Sequence, residues 1–398
     1  MIAGLVATAV GTGGLVYAAN QSVQGFKKEE GGFDGDAPTA ILIEATSGSV
    51  LFEKNADELR APSSMMKLMT AEVVFHAIKQ GDIKLTDEYR ISENAWRRGG
   101  APSGTSTMFA ALNSKVSVDD LLHGALIQSG NDACIALAEG IAGNEHTFAT
   151  DNMTKRAREL GLTKSTFANS NGLPDPGNKM TVRELGSLAR YIIQTYPEFY
   201  KLFGEKEFTW NKIKQPNRNP LLNSLEGADG LKTGYTKEGG YGMVGSAVQN
   251  GTRLIAVVNG LEDSEDRASE AKKMLEWGYR NFEVRTLFAA QTPVGYAKVF
   301  GGDSGSVKLS SPDPIKVMVQ KNGNDKLIAR IVYNGPVRAP VTAGQQVGVV
   351  RVWRGTNIAM EAPVYAADAV GKGSTMRRAV DGVSELVIGM FRAGAEKL

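Results

Sequence analysis

The sequence predicts an α+β protein: a five-stranded sheet covered by helices, then a small all-β unit and a C-terminal amphipathic helix. Three observations carry this. Short apolar runs pair off around turn residues at 41–53 and again at 230–259. Long helical patterns lie before and after the second group, as for a sheet covered by helices rather than a βαβ repeat. Beyond Phe282 the composition shifts to short β runs divided by Gly, Asn and Pro.

Residues 2–19 are small and apolar and end Val-Tyr-Ala, which fits a signal peptide over 1–18, cut after Ala18, and an exported protein. Ile2 follows Met1 directly, so the expected basic start is missing. Either the true start lies upstream, the signal is atypical, or the segment is a short, glycine-interrupted anchor. Residues 19–36, rich in Gly, Lys, Glu and Asp, read as a disordered arm. Ile41–Ala45 and Ser49–Glu53 form a hairpin around Thr46-Ser47-Gly48. A helix follows over 61–75, begun by Pro62 and Ser63 and carrying Met65, Met66, Leu68, Met69, Ala71, Val73, Val74 and Phe75, the pattern of a buried helix.

The glycine-rich stretch 99–104 marks a loop able to border a cleft. Two apolar helices in 117–142 are joined by Gln128-Ser129-Gly130-Asn131, and 147–203 is mainly helical, broken at 169–177. Strands at 230–236, 241–248 and 253–259 come next, the last two joined at Asn250-Gly251, and a charged helix over 263–282 closes a unit spanning 37–282. A β unit occupies 283–370, with runs at 315–319, 326–333 and 346–352. From 374 to 395, Met376, Val380, Val383, Leu386, Val387, Met390 and Phe391 make one apolar stripe opposite arginines. That segment reads as a monotopic membrane anchor, or as a helix packed on the β unit or another chain.

Lys and Arg total 45 against 43 Asp and Glu, without a basic stripe, which argues against a nucleic-acid partner. His76, His123 and His146 stand at no metal-ligand spacing, so neither a metal nor another cofactor is expected. The single cysteine, Cys134, reads as a small buried hydrophobe.

Ser64 and Lys67 stand three positions apart on the apolar helix, where their polar groups meet. Burial lowers a lysine pKa, which would make Lys67 a neutral amine able to deprotonate Ser64. The spacing alone is weak, since Ser269 and Lys272 repeat it on a charged helix face, and a capping serine with a snorkelling lysine is the plain alternative. Ser129-x-Asn131 is equally weak alone, because Ser92 and Asn94 repeat it. Lys232-Thr233-Gly234 occurs once, on a strand, and Gly234 leaves room for an extended peptide.

In this order the three motifs resemble those of the penicillin-interacting serine acyltransferases. More closely, the chain resembles the low-molecular-mass penicillin-binding proteins of the penicillin-binding protein five group, which are D-alanyl-D-alanine carboxypeptidases. The likeness runs from 37 to about 395 and includes Leu126–Ala133, Asn171-Gly-Leu-Pro, Asn217-Arg-Asn-Pro and Gly230–Thr236. It implies a β-lactamase/transpeptidase-like domain with an antiparallel sheet. Ser64 would be the nucleophile, Lys67 the base, Ser129 a proton relay, and Asn131 a partner for Lys67 and the substrate amide. It also implies an oxyanion hole from the N–H groups of Ser64 and Tyr235, with the substrate carboxylate bound by Lys232, Thr233 and Arg218. Arg218 sits one residue nearer Lys232 than the family pattern has it, and a surface arginine is its other reading.

The implied partners are a peptidoglycan pentapeptide, β-lactams as covalent inhibitors, and the cytoplasmic membrane on its periplasmic side. A β-lactamase of class A is one alternative, but it relies on a further glutamate, and Glu184 reads as a helix-face residue. A non-catalytic muropeptide-binding scaffold is the other.

Overall fold

The computed structural model describes residues 32–379 apart from 322, 324–326, 355, 356 and 377. The expected signal peptide, most of the 19–36 arm and nearly all of the 374–395 helix lie outside the described residues. The chain divides into two compact units, one running to Asn281 and the other beginning at Phe282.

In the first unit β1 (Thr39–Glu44), β2 (Val50–Lys54), β3 (Ala228–Thr236), β4 (Gly240–Gln249) and β5 (Thr252–Leu261) form one antiparallel sheet in the order β2-β1-β5-β4-β3. Asn250 and Gly251, with φ of 49° and 74°, make the left-handed two-residue turn whose twist matches a hairpin. The strand that carries Lys232 is therefore a sheet edge, with one side of its backbone unpaired by any strand.

The helices include α1 (Lys67–Gln80), α2 (Val118–Leu126), α3 (Asn131–Ala142), α4 (Val182–Thr195) and α5 (Ser264–Asn281). All six residues of β1 are buried, which an antiparallel strand shows only when both faces are covered. Two glycines show how. A Cβ on Gly186 of α4 would stand 2.7 Å from Ile43 Cδ1, and one on Gly278 of α5 would stand 2.7 Å from Leu254 Cδ1 and 2.8 Å from Leu42 Cδ2. Neighbouring residues of a strand point to opposite faces, so α4 and α5 sandwich the sheet.

Two expectations need correction. Phe33, assigned to the disordered arm, is buried, with its ring 5.2 Å from Phe52 and 5.7 Å from Trp277. An isolated aromatic in a polar stretch, seven residues from its nearest aromatic neighbour, Phe26, has no short period to betray it. The stretch before Arg218, to which the sequence assigned no strand, holds a small hairpin, Glu207–Trp210 with Ile213–Pro216. Its turn residues Asn211 and Lys212 both have positive φ, and lysine gives no sign of that conformation.

The described residues of the second unit are all-β from Phe282 to Ala366. Leu327–Tyr333, Gln346–Arg354, Asn357–Ala366, Ser306–Ser310, Pro293–Phe300 and Val337–Arg338 form a six-stranded sheet in that order, and Phe282–Phe288 pairs with Ile315–Gln320. Its core gathers Val299, Leu309, Val317, Ile331, Val350 and Val364 with their neighbours.

Candidate active site

Ser64 lies in a 3-10 turn, Ser63–Met66, that runs directly into α1. Ser63 takes a left-handed φ of 51°, unusual for a residue with a side chain, and its Oγ lies 2.9 Å from Thr236 Oγ1 on β3. Asn259 Nδ2 on β5 donates to the Ala61 carbonyl at 3.2 Å. The sheet thus pins the turn, leaving Ser64 half-buried while Met65, Met66, Leu68 and Met69 fill the interior.

Lys67 is fully buried, as its apolar surroundings predict. Its Nζ lies 2.9 Å from Ser64 Oγ, 2.7 Å from Asn131 Oδ1 and 2.6 Å from the Asn171 carbonyl. As an ammonium it donates to all three. As a neutral amine it donates to the two amide oxygens and offers its lone pair to the Ser64 hydroxyl. Burial pushes Lys67 down from 10.5 to about 8; Arg218 adds to the fall, while Asp132 and Glu145 oppose it. Cys134, itself pushed up to about 11 by burial, is an uncharged thiol at neutral pH. Lys67 therefore gives up its proton far more readily than a free lysine, in the direction of the neutral form expected from sequence.

Ser129 stands between α2 and α3 with a φ of 66°, and its buried Oγ has no hydrogen-bond partner. A non-glycine residue in that conformation with an unsatisfied hydroxyl is typical of a functional site. Asn131 opens α3. Its Oδ1 accepts from Lys67, as expected, while its Nδ2 donates to Thr105 Oγ1 at 3.0 Å, just beyond the 99–104 loop. Asp132 fixes that loop by accepting from Thr107 Oγ1 and from the N–H groups of Met108 and Ala110 at 2.7–3.1 Å.

Lys232 is also buried, yet its Nζ donates only to the Thr233 carbonyl, at 3.1 Å. Burial, then Lys67 and Arg218, hold its pKa well below the ordinary lysine value. A cation without a carboxylate, beside other cations, is a place an anion would fill. Arg218 is exposed and reaches Gln128 Oε1 at 3.5 Å, next to Ser129; both the surface reading and closeness to the site hold for it. Arg267, read from sequence as part of a solvated face, lies over the Tyr241 ring at 5.5 Å and adds a further lowering charge to Lys232.

Gly234 departs from the expected reason for a glycine. A Cβ there would stand 3.1 Å from the Pro62 carbonyl and 3.1 Å from the Met65 nitrogen. The missing side chain lets β3 lie against the nucleophile turn, rather than clearing space for a ligand. Thr233 is buried, and Tyr235 is exposed with its ring stacked on Tyr241 at 4.1 Å.

Sequence reasoning named Asn171 only as part of the resemblance, without its hold on Lys67 through a backbone atom, and missed Glu145, whose carboxylate anchors the loop bearing Asn171. Glu184 is buried, and its oxygens accept from Lys164 N–H and Ser165 Oγ, so its carboxylate ties the 164–165 turn to α4. Ser269 is exposed, as the charged helix face predicts. No group of three or more potential metal ligands occurs among the described residues.

Residues 24–263 match the D-alanyl-D-alanine carboxypeptidase family, and 282–372 match the penicillin-binding protein 5 C-terminal domain. A D-alanyl-D-alanine carboxypeptidase of Escherichia coli K12, DacC, is 40% identical over 349 residues, covering 87% of each chain. The crystal structure of penicillin binding protein 5 from Haemophilus influenzae superposes with a TM-score of 0.75 at 38% identity, covering 86% of this chain and 99% of the other. Penicillin-binding protein D2 from Listeria monocytogenes, solved in an ampicillin-bound form, matches at a TM-score of 0.55 and 30% identity, over 62% of this chain and 98% of its own.

Proposed function

The chain belongs to the D-alanyl-D-alanine carboxypeptidase family, and we propose that it carries out this reaction on peptidoglycan pentapeptides with Ser64 as nucleophile. The observation that carries the assignment is the fully buried Lys67 amine 2.9 Å from Ser64 Oγ. As the serine oxygen attacks the carbonyl of the penultimate D-alanine, its proton passes to Lys67. In this reading the oxyanion is met by the N–H groups of Ser64 and Tyr235, and the Gly234 contact, which packs β3 against the nucleophile turn, supports that pairing. The C–N bond then breaks, the proton travels from Lys67 by way of the unpartnered Ser129 hydroxyl to the leaving amine, and D-alanine departs. Water hydrolyses the resulting ester and restores Ser64.

The substrate ends in a carboxylate, and the buried Lys232 ammonium, with Thr233 and Arg218, is its counterpart. The peptide lies along the free side of β3 as an added strand. A β-lactam reacts with Ser64 in the same way through its ring amide, leaving a covalent ester. Mass spectrometry of the penicillin-treated protein should place the adduct on the peptide containing Ser64. An adduct elsewhere, or one that survives Ser64→Ala, overturns the assignment.

Residues 37–282 are the catalytic domain in this reading and 283–370 its β-rich companion. Export through 1–18 and peripheral attachment to the periplasmic face of the membrane through 374–395 complete it. The apolar stripe in the sequence supports the attachment, and no helix among the described residues is long and apolar enough to cross a membrane.

A further inference from the structure

Asn171 meets Lys67 with its main-chain oxygen, so no side-chain identity guarantees the contact; the loop must be held in place by something else. Glu145 is buried, and its Oε1 accepts from the Ser170 N–H at 3.1 Å, Ser170 Oγ at 2.8 Å and Asn171 Nδ2 at 2.9 Å. Its Oε2 pairs with Arg98 at 3.1 Å. The loop is braced from two other sides. Thr70 of α1 donates to the Ser170 carbonyl at 2.5 Å, and Asn169 Oδ1 accepts from the Asn171 and Gly172 N–H groups. At Gly172, φ +82°, a Cβ would lie 2.0 Å from the Ser63 carbonyl, so the loop touches the nucleophile turn itself.

We infer that Glu145 is a positioning residue for the acylation step: through the Asn171 side chain it holds the Asn171 carbonyl against Lys67 Nζ and keeps the amine aimed at Ser64. This rests on Lys67 being the base. A buried carboxylate oxygen that accepts three hydrogen bonds is a large commitment, and all three place residues 170 and 171. The same carboxylate also acts on Lys67 by charge. The titratable and charged groups around that amine are Cys134 and Asp132 on α3, Glu145, Arg218 and Lys232. Of these, Asp132 and Glu145 favour the ammonium at neutral pH, and Arg218 disfavours it.

The test uses the whole protein and a fluorescent penicillin, with the acylation rate followed from pH 6 to 10 and the melting temperature taken alongside. Glu145→Ala should slow acylation by about 100-fold, the scale of an ångström's misplacement of a reacting group. Asn171→Ala should slow it too, and the double variant should be no slower than the slower single one, because both act through one contact. Glu145→Gln keeps the shape and removes the charge, so the rising limb of the pH profile should move to lower pH.

If Glu145→Ala lowers only the melting temperature, or if the two alanine effects multiply, the inference is overturned. Should Glu145→Ala fail to fold, an unmoved limb in Glu145→Gln overturns it instead. Lys67→Met separates this from the underlying reading. Wild-type acylation in that variant refutes the base itself, whereas a dead Lys67→Met with normal Glu145 variants refutes only the positioning role.

Discussion

The two units bury different things. Among the described residues, the buried polar and charged side chains lie in the first unit with the single exception of Ser311, while the buried hydrophobic residues of the second are aliphatic apart from Phe282, Met318, Tyr333 and Met360. An apolar core stabilises with every side chain it buries. The first unit instead hides two lysines, and for Lys67 the opposing free energy can be sized. Its pKa falls from 10.5 to about 8, so the unfolded chain holds the proton more tightly. Below pH 8 that difference lowers stability by about 3 kcal/mol, and stability is regained as pH rises from 8 towards 10.5. A catalytic centre is thus a region where packing elsewhere holds groups that would prefer water.

The contrast is sharpest at Lys67. Lys67→Met should lower acylation by about 10²–10⁴-fold, the range for a positioned base. It should still fold, because removing the buried cation returns about 3 kcal/mol, while leaving Asn131 Oδ1 and the Asn171 carbonyl without a donor costs about 1–3 kcal/mol each. Unfolding of this variant, or acylation at the wild-type rate, would break the comparison at its strongest point. In the unaltered protein acylation should rise through about pH 8 as Lys67 loses its proton; stopped-flow rates that are flat from pH 6 to 9 contradict this.

Lys232→Gln should reduce kcat/KM for a peptide ending in D-alanine by about 10–100-fold, the size of a lost hydrogen bond to a charged group. The same peptide with a terminal carboxamide should feel the change far less. Equal losses for both would mean that Lys232 does not read the carboxylate.

In the second unit the effects should be on stability alone. Ile331→Ala removes a fully buried side chain and should destabilise by about 2–5 kcal/mol in denaturant titration, with D-alanine release at ambient temperature unchanged. Loss of peptide activity in a folded Ile331→Ala protein would show that the division of labour is wrong. The smallest effect is expected from deleting 374–398. Release of D-alanine from a soluble peptide should stay the same while the protein moves from the membrane to the soluble fraction; retention on the membrane refutes the anchor.

Much of this was legible in the residues. The apolar run from Met65 to Phe75 foretold a buried lysine, and the Asn250-Gly251 pair foretold its hairpin, because each depends on local side chains. The motif order brought Ser64, Lys67, Ser129, Asn131 and Lys232 into view, and the fold brings Ser64 of the 3-10 turn and Asn131 of α3 onto the Lys67 amine of α1, whose charge is felt by Lys232 on β3. What escaped was long-range or backbone-borne. Glu145 and Asn171 are 26 residues apart and meet only after folding. The contact of Asn171 with Lys67 is made by an atom every residue possesses. The left-handed geometry of Ser63 and Ser129 is imposed by their surroundings and leaves no mark in composition.

The edge position of β3 has a consequence for the molecule in solution. Proteins usually blunt an open strand edge with charge, a bulge or a covering loop, because it invites pairing with another chain. Here charge stands on the strand at Asp229 and Lys232 and just past its end at Lys237 and Glu238, a bulge falls between Ala228 and Gly230, and Gly230 to Gly234 are buried. The edge is therefore guarded against a second sheet, while in the proposed reading a single extended peptide still reaches it. The free protein should accordingly stay as monodisperse as the liganded one at equal concentration.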